Sequence, residues 1–410
     1  MGMNQTPVSE RVHIGFFGRR NAGKSSIINK VTGQELSVVS EVKGTTTDPV
    51  FKSMELPPMG PVVMMDTPGI DDGGGLGELR VKKSLQVLGK ADVAVLVADL
   101  LEGIGEPEER LVKQFRDRGI PYLIVYNKAD LKETGAVPEC GAHTGAIGPD
   151  ADKAPALYVS AKTGEGIHEL KEAIAQFSPK EEGRRLVGDL LAPGDLAVLV
   201  VPIDKAAPKG RLILPQQQAV RDILEAGAVA VVARDWGLPE ALGCLKEKPR
   251  IVITDSQVFG QVAKDTPKEV PLTSFSILFA RYKGSLEQAV EGAKRLDSLE
   301  DGDRVLMAEG CTHHRQCDDI GTVKLPRWIR EYTRKNLDFA HVSGTEFPED
   351  LSSYQLVVHC GGCMLNRKEM EGRLRRAAGQ QVAMTNYGIL IAKMKGILER
   401  SLEGVGYKSR

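Results

Sequence analysis

Gly18-Arg19-Arg20-Asn21-Ala22-Gly23-Lys24-Ser25 fits G-x-x-x-x-G-K-[ST] without a mismatch, and nothing else in the chain restricts its fold so tightly. The run follows an apolar segment at 13–17 and opens a helix-like one at 25–31, the strand–loop–helix setting that the motif requires. Glycines in such a loop let backbone N–H groups close around phosphate oxygens, and the helix adds its positive end. Gly18, Asn21, Ala22, Gly23 and Ser26 belong to this cradle. Lys24 brings a cation to the outer phosphates, and Ser25 offers a hydroxyl to Mg2+.

The surrounding pattern agrees. Apolar runs at 62–65, 93–98, 122–126 and 157–159 alternate with amphipathic stretches at 108–118 and 166–176. Strict strand–helix alternation predicts an α/β fold with a parallel sheet covered on both faces. With 410 residues at roughly 150 per domain, three α/β domains are expected. We place a nucleotide-binding domain at 8–178, a second at 185–270 and a third at 271–410. The second carries strand-like runs at 196–203, 228–233 and 251–254, with helix-like ones at 217–226 and 240–246. It shows no chemistry and reads as a self-association module, hence a homodimer. The third has strands at 304–308, 339–342, 355–358 and 382–384, and helices at 286–299, 328–335, 367–378 and 387–402. Residues 133–155, rich in Gly, Ala, Pro and Asp, read as a surface loop.

Net charge is −1 and aromatic residues make up 5%, which argues against a nucleic-acid partner. No apolar run reaches the roughly 18–20 residues of a membrane span, and no secretory signal opens the sequence. The expectation is a soluble, cytoplasmic protein without a membrane partner. Its six cysteines then read as metal ligands, catalytic thiols or core residues before disulfides. Cys244, in an apolar helix-like stretch, reads as core.

Three further motifs identify the nucleotide. Asn127-Lys128-Ala129-Asp130 fits N-K-x-D after an apolar strand. The Asp130 carboxylate accepts both N1–H and the exocyclic amine of guanine, a donor pair that adenine lacks. Asn127 and Lys128 brace the loops and cover the ring, and Ser160-Ala161-Lys162 supplies a backbone contact to the base oxygen. Asp66-Thr67-Pro68-Gly69 fits D-x-x-G, with Asp66 near the metal and the Gly69 N–H facing the γ-phosphate. The four together point to GTP.

Gly44-Thr45-Thr46-Thr47-Asp48 resembles the G-T-T-x-D switch of the tRNA-modifying MnmE/Era-like group, a likeness that brings Thr46 to Mg2+. Ile70 stands where Ras-like enzymes keep a water-orienting Gln, so hydrolysis needs other help. Asn21 occupies the position that in potassium-dependent relatives helps hold K+, which partly does the work of an arginine finger. Glu78 matches the place of that group's water-positioning Glu; the other reading is a solvated loop charge.

Cys360-Gly361-Gly362-Cys363 suits a redox dithiol, half a zinc site or half a cluster site. Cys311 and Cys360 each follow a predicted strand, and a parallel sheet sends both to its carboxyl edge, where ligands bind. Three converging thiolates suit an iron–sulfur cluster with one replaceable site, or zinc completed by His. His313, His314 and His359 read as neighbours rather than ligands. Gly361-Gly362 leaves backbone N–H groups free to face sulfur.

A GTPase followed by Cys311-Thr312-His313 and His359-Cys360-Gly361-Gly362-Cys363 resembles the FeFe-hydrogenase maturation GTPases of the HydF family. The resemblance covers essentially the whole chain. It implies a 4Fe-4S cluster on Cys311, Cys360 and Cys363 and a dimerising middle domain. It also implies a scaffold that accepts a di-iron precursor made with radical-SAM maturases and delivers it to the FeFe-hydrogenase apoprotein. With three cysteines, a fourth iron takes an oxygen ligand, Asp318 or water, with Cys317 as a neighbour or a fourth thiolate. Two other classes stay open. One is an RNA-modifying or ribosome-assembly GTPase with structural zinc, helped by ten Lys/Arg against four Asp/Glu from Met364 onward. The other is a GTP-regulated thiol oxidoreductase.

Overall fold

The computed structural model describes residues 6–33, 48–70, 75–131, 156–177, 184–203, 212–311, 319–344 and 346–407, the side chains of 75–78 excepted. The chain divides into two compact units, with the division at residues 180 and 181.

Among its described residues the first unit has six strands: β1 (Val12–Phe17), β2 (Val50–Leu56), β3 (Gly60–Asp66), β4 (Val93–Asp99), β5 (Tyr122–Asn127) and β6 (Ala156–Tyr158). They form one sheet in the order β2-β3-β1-β4-β5-β6, parallel except for the β2–β3 pair. Helices α1 (Lys24–Thr32), α2 (Gly75–Leu88), α3 (Glu106–Asp117) and α4 (Ile167–Ala175) accompany it. β4 is central and buried from Val93 to Ala98, which is why it reads as an unbroken apolar run. Two apolar clusters pack around this sheet, one with Ile14, Ile27 and Leu170, the other with Phe17, Leu96 and Phe115.

The second unit contains two four-stranded, wholly parallel sheets. The first holds β7 (Leu196–Val200), β8 (Val229–Ala233), β9 (Ile251–Thr254) and β10 (Leu272–Ser274) in the order β10-β9-β7-β8. The strand expected over 196–203 stops at Val200, ahead of Pro202, which has no N–H for a ladder. β10 lies beyond position 270 yet completes this sheet. Around it lie α5 (Leu214–Glu225), α6 (Leu238–Cys244), α7 (Phe259–Asp265) and α8 (Phe275–Lys283). Cys244 is exposed rather than in the core: it ends α6, whose buried residue is Leu238.

The last sheet holds β11 (Arg304–Ala308), β12 (Asp338–Val342), β13 (Leu356–His359) and β14 (Ala383–Asn386) in the order β12-β11-β13-β14. Its helices are α9 (Leu286–Lys294), α10 (Leu325–Thr333), α11 (Arg367–Gly379), α12 (Tyr387–Met394) and α13 (Leu398–Glu403). The helix expected over 387–402 is two helices, because Gly396 adopts φ 69° and ends the first. The two sheets share one apolar core that runs from Leu199 and Phe259 through Phe275 and Ile389 to Met307. Arg400 of α13 reinforces it by donating to the carbonyls of Ala263 at 3.0 Å and Val270 at 3.2 Å.

Candidate functional site

In the first unit the loop after β1 and the loops after β5 and β6 are tied together by one side chain. Asn127, the last residue of β5, donates from Nδ2 to the Ala22 carbonyl at 2.9 Å and accepts at Oδ1 from the Ala161 N–H at 3.1 Å. A Cβ at Gly23 would come within 2.1 Å of that Nδ2, and Gly23 also holds φ 90°, so no other residue fits. Lys24 is buried and donates to the carbonyls of Gly18 at 2.9 Å and Arg19 at 2.6 Å. Asn21 takes a left-handed φ of 61°, which Asn tolerates.

Polar groups from the loop after β6 gather around Asp130. Ser160 donates to Asp130 Oδ1 at 2.7 Å, and Lys162 Nζ lies 3.8 Å from Oδ2. The Ser160 hydrogen bond is the main cause of a lowered Asp130 pKa, so the carboxylate is ionised and available to two donors. Lys128 pairs with Asp99, and Tyr126 and Tyr158 stack at 5.5 Å.

Asp66 ends β3, and its carboxylate accepts from the Ser25 hydroxyl. Its other oxygen, Oδ1, is buried without a hydrogen-bond partner among the described residues. Burial raises the Asp66 pKa, and Ser25 and Lys24 offset only part of the rise. A buried oxygen lacking a partner beside a serine hydroxyl suits a divalent cation. Ile70 packs against the apolar cluster of Phe17 and Leu96. Thr46 and the Glu78 side chain lie outside the described residues.

One tie here was not read from the motifs. Arg19 Nη2 donates to Glu108 of α3 at 2.8 Å, and Glu108 also accepts from the Gly105 N–H at 3.0 Å. The buried carboxylate thereby holds the phosphate loop against α3.

In the second unit, β11 and β13 are adjacent, with Ala308 opposite His359. The chain runs from β11 outward to β12 and then returns to the other side, so this pair is where the strand order reverses, the usual ligand crevice of such sheets. Cys311 follows β11 and Cys360 follows β13. The Gly310 N–H points at Cys360 Sγ at 3.1 Å and the Gly362 N–H at 3.4 Å; Gly362 does so with φ 67°. Cys360 and Cys363 also border the shared apolar core. Burial first, then neighbouring Cys360, pushes both Cys311 and Cys363 up to about 12, and burial also raises Cys360. Each of the three thiols therefore sits in low-dielectric surroundings, and Cys360 is near enough to Cys311 and Cys363 to disfavour their ionisation. Among the described residues, no three His, Cys, Asp or Glu side chains stand ready to hold a metal ion.

His359 is fully buried and both ring nitrogens are engaged. Arg373 donates to Nε2 at 2.9 Å, and since arginine only donates, the proton sits on Nδ1, which bonds the Cys360 carbonyl at 2.8 Å. Burial, then Arg373, pulls the His359 pKa down to about 3, so the ring is neutral. It braces the cysteine loop and has no lone pair to offer a metal.

Three charged residues beside the thiols went unread in the sequence. Glu309 is buried next to Gly310, and Tyr387 donates to it at 3.5 Å. Lys283, at the end of α8, is buried and donates to the carbonyls of Cys363 at 3.2 Å and Leu365 at 2.9 Å. Arg373 is the third. His313, His314, Cys317 and Asp318 lie outside the described residues.

The chain is similar to several known proteins. Residues 13–128 match the family described as 50S ribosome-binding GTPase. The chain is 36% identical over 173 residues to the tRNA modification GTPase MnmE of Legionella pneumophila (strain Corby), covering 40% of this chain and 34% of that protein. It is 30% identical over 179 residues to GTPase Der of Clostridium kluyveri, covering 42% of this chain and 41% of that one. The chain thus spans a third to two fifths of the length of these relatives. Aquifex aeolicus Era bound to GDP and AlF4− aligns over 57% of this chain and 98% of that chain, with 21% identity and a TM-score of 0.34. Residues 186–284 match the Hydrogen maturase F dimerization domain and residues 287–404 the Hydrogen maturase F tetramerization domain. With a GTPase domain ahead of both, the chain belongs to the hydrogen maturase F (HydF) family.

Proposed function

We propose that this protein hydrolyses GTP in its first unit and carries a 4Fe-4S cluster in its second, as the scaffold on which the di-iron precursor of an FeFe-hydrogenase site is held and delivered. The supporting observation is the placement of Cys311, Cys360 and Cys363 at the strand-order reversal of the last sheet. Soft thiols in a low-dielectric pocket, with two N–H groups aimed at one sulfur, fit a cluster.

In the first unit Lys24 holds the outer phosphates, Gly69 donates its N–H to the γ-phosphate, and Ser25, Thr46 and Asp66 are the residues for Mg2+. The bound cation would neutralise charge on the phosphate oxygens. Asp130 selects guanine while Asn127 keeps the loops in register. Asn21 is the residue for K+, and Glu78 positions water in place of the glutamine that Ile70 displaces.

In the second unit Cys311, Cys360 and Cys363 hold the cluster, which supplies an iron open to exchange. The buried carboxylate of Glu309 is an oxygen donor beside the thiols, alongside Asp318 and water. The radical-SAM maturases and the hydrogenase apoprotein are the partners in this reading. Assembly starts with a homodimer, for which β8 offers an edge strand: Val229 and Val232 are each 47% exposed on it. Anaerobic purification with iron analysis tests the reading. Lys24→Ala should abolish turnover and leave iron content intact, because the two functions reside in different units.

A further inference from the structure

Charged side chains are rarely fully buried, because the loss of hydration costs several kcal/mol per ion. The wall of the cysteine pocket nevertheless holds two cations, Lys283 at 2% exposure and Arg373 at 3%. Both grip the cysteine loop. Lys283 Nζ reaches the carbonyls of Cys363 and Leu365 and lies 5.3 Å from the centre of the Phe279 ring. Arg373 reaches the Cys360 carbonyl through His359, with 2.9 Å and 2.8 Å in the two links. Its other nitrogen donates to the Gly344 carbonyl at 2.8 Å and to Glu369 at 3.0 Å.

Hydrogen bonds alone do not require charge at these places, since an amide would serve the same carbonyls. A charge matters if the pocket holds an anion. Three thiolates around a 4Fe-4S core of charge 2+ leave a net −1, which becomes −2 on one-electron reduction. Fixed positive charge in a low dielectric favours the more negative state, and net charge is one of the levers on cluster potential.

We infer that Lys283 and Arg373 are redox-positioning residues, two buried cations that raise the reduction potential of the group bound by Cys311, Cys360 and Cys363. The inference rests on the cluster reading proposed above. It adds that the charge of these side chains, beyond their hydrogen bonds, sets how readily the group takes an electron. Glu369 works in the opposite direction, because its carboxylate partly offsets Arg373.

The test is anaerobic redox titration of the full chain, followed by EPR, with iron and sulfide measured on each sample. Lys283→Gln and Arg373→Gln should shift the midpoint to more negative values, and Lys283→Arg should return it toward the parent. Glu369→Gln, which keeps both cations and an acceptor oxygen, should shift it to more positive values. Opposite signs from neighbouring substitutions are not produced by loosened packing. If the parent holds iron and sulfide but all variants titrate at its midpoint, the inference fails and the cluster reading stands. If the parent holds no iron and sulfide, the cluster reading fails and takes this inference with it. Should the glutamine variants at 283 and 373 lose their iron, Glu369→Gln decides: a rise supports the assignment, and no change or a fall overturns it.

Discussion

The Ser25 hydroxyl donates to the carboxylate of Asp66, so two residues from separate motifs are already joined at the place proposed for Mg2+. The arrangement has a pH consequence. Burial raises the Asp66 pKa above its ordinary 3.8, so the folded unit resists the charged form. An unfolded chain ionises near that ordinary value, and stability is therefore lost as pH rises through the folded value. Asp66→Asn removes the loss. It should stabilise the nucleotide-free unit at neutral pH while abolishing hydrolysis. Thermal unfolding across pH 4–8, roughly the range above an ordinary carboxylate pKa, checks it; a variant less stable at every pH contradicts it.

Asp130→Asn should exchange base preference. The amide offers one acceptor and one donor where guanine needs two acceptors, and xanthine, with a carbonyl at C2, accepts the new donor. GTP affinity should drop roughly 10–100-fold, the scale of one charged hydrogen bond, with XTP gaining. Unchanged GTP preference in competition binding would remove Asp130 from this role.

Turnover should be several-fold faster in K+ than in Na+ at equal ionic strength, and Asn21→Ala should erase the difference. Steady-state phosphate release measures both. Equal rates for the parent in the two salts would leave Asn21 as a loop residue that tolerates φ 61°.

How far the sequence predicted the molecule depends on what each signal measures. β9 and β11 coincide with the runs expected at 251–254 and 304–308, because β9 is buried throughout and β11 from Val305 to Ala308, so each reads as an apolar block. β2 leaves no apolar run in the sequence, because it is an edge strand alternating exposed and half-buried residues, with Lys52 and Glu55 breaking the apolar signal. β10 has three residues, too few for periodicity. The motif residues stand out in the sequence because phosphate, guanine and soft metals would each demand fixed residue types at fixed spacing. Glu108, Glu309, Lys283 and Arg373 do not, since their roles arise from tertiary placement: Arg19 and Glu108 are 89 positions apart, and Lys283 meets Leu365 across 82.

Self-association should run through the edge strand β8. Deleting residues 185–270 would strip Leu199, Ile253 and Phe259 from the core shared with the last sheet, so a point substitution is the cleaner probe. Val232→Asp places a charge on an exposed edge residue and should lower the assembly by at least one step in light scattering while unfolding stays cooperative. An unchanged mass would move the interface elsewhere.

The central claim is that Cys311, Cys360 and Cys363 together hold an iron–sulfur cluster. The most direct measurement is iron, sulfide and zinc content with EPR of the dithionite-reduced protein, on anaerobically purified parent and single Cys→Ser variants. The account predicts iron and sulfide in equal amounts with a reducible signal in the parent, lost in Cys311→Ser, Cys360→Ser and Cys363→Ser but kept in Cys317→Ser. Stoichiometric zinc without sulfide in the parent, or a cluster that survives any one of the three substitutions unaltered, would contradict it.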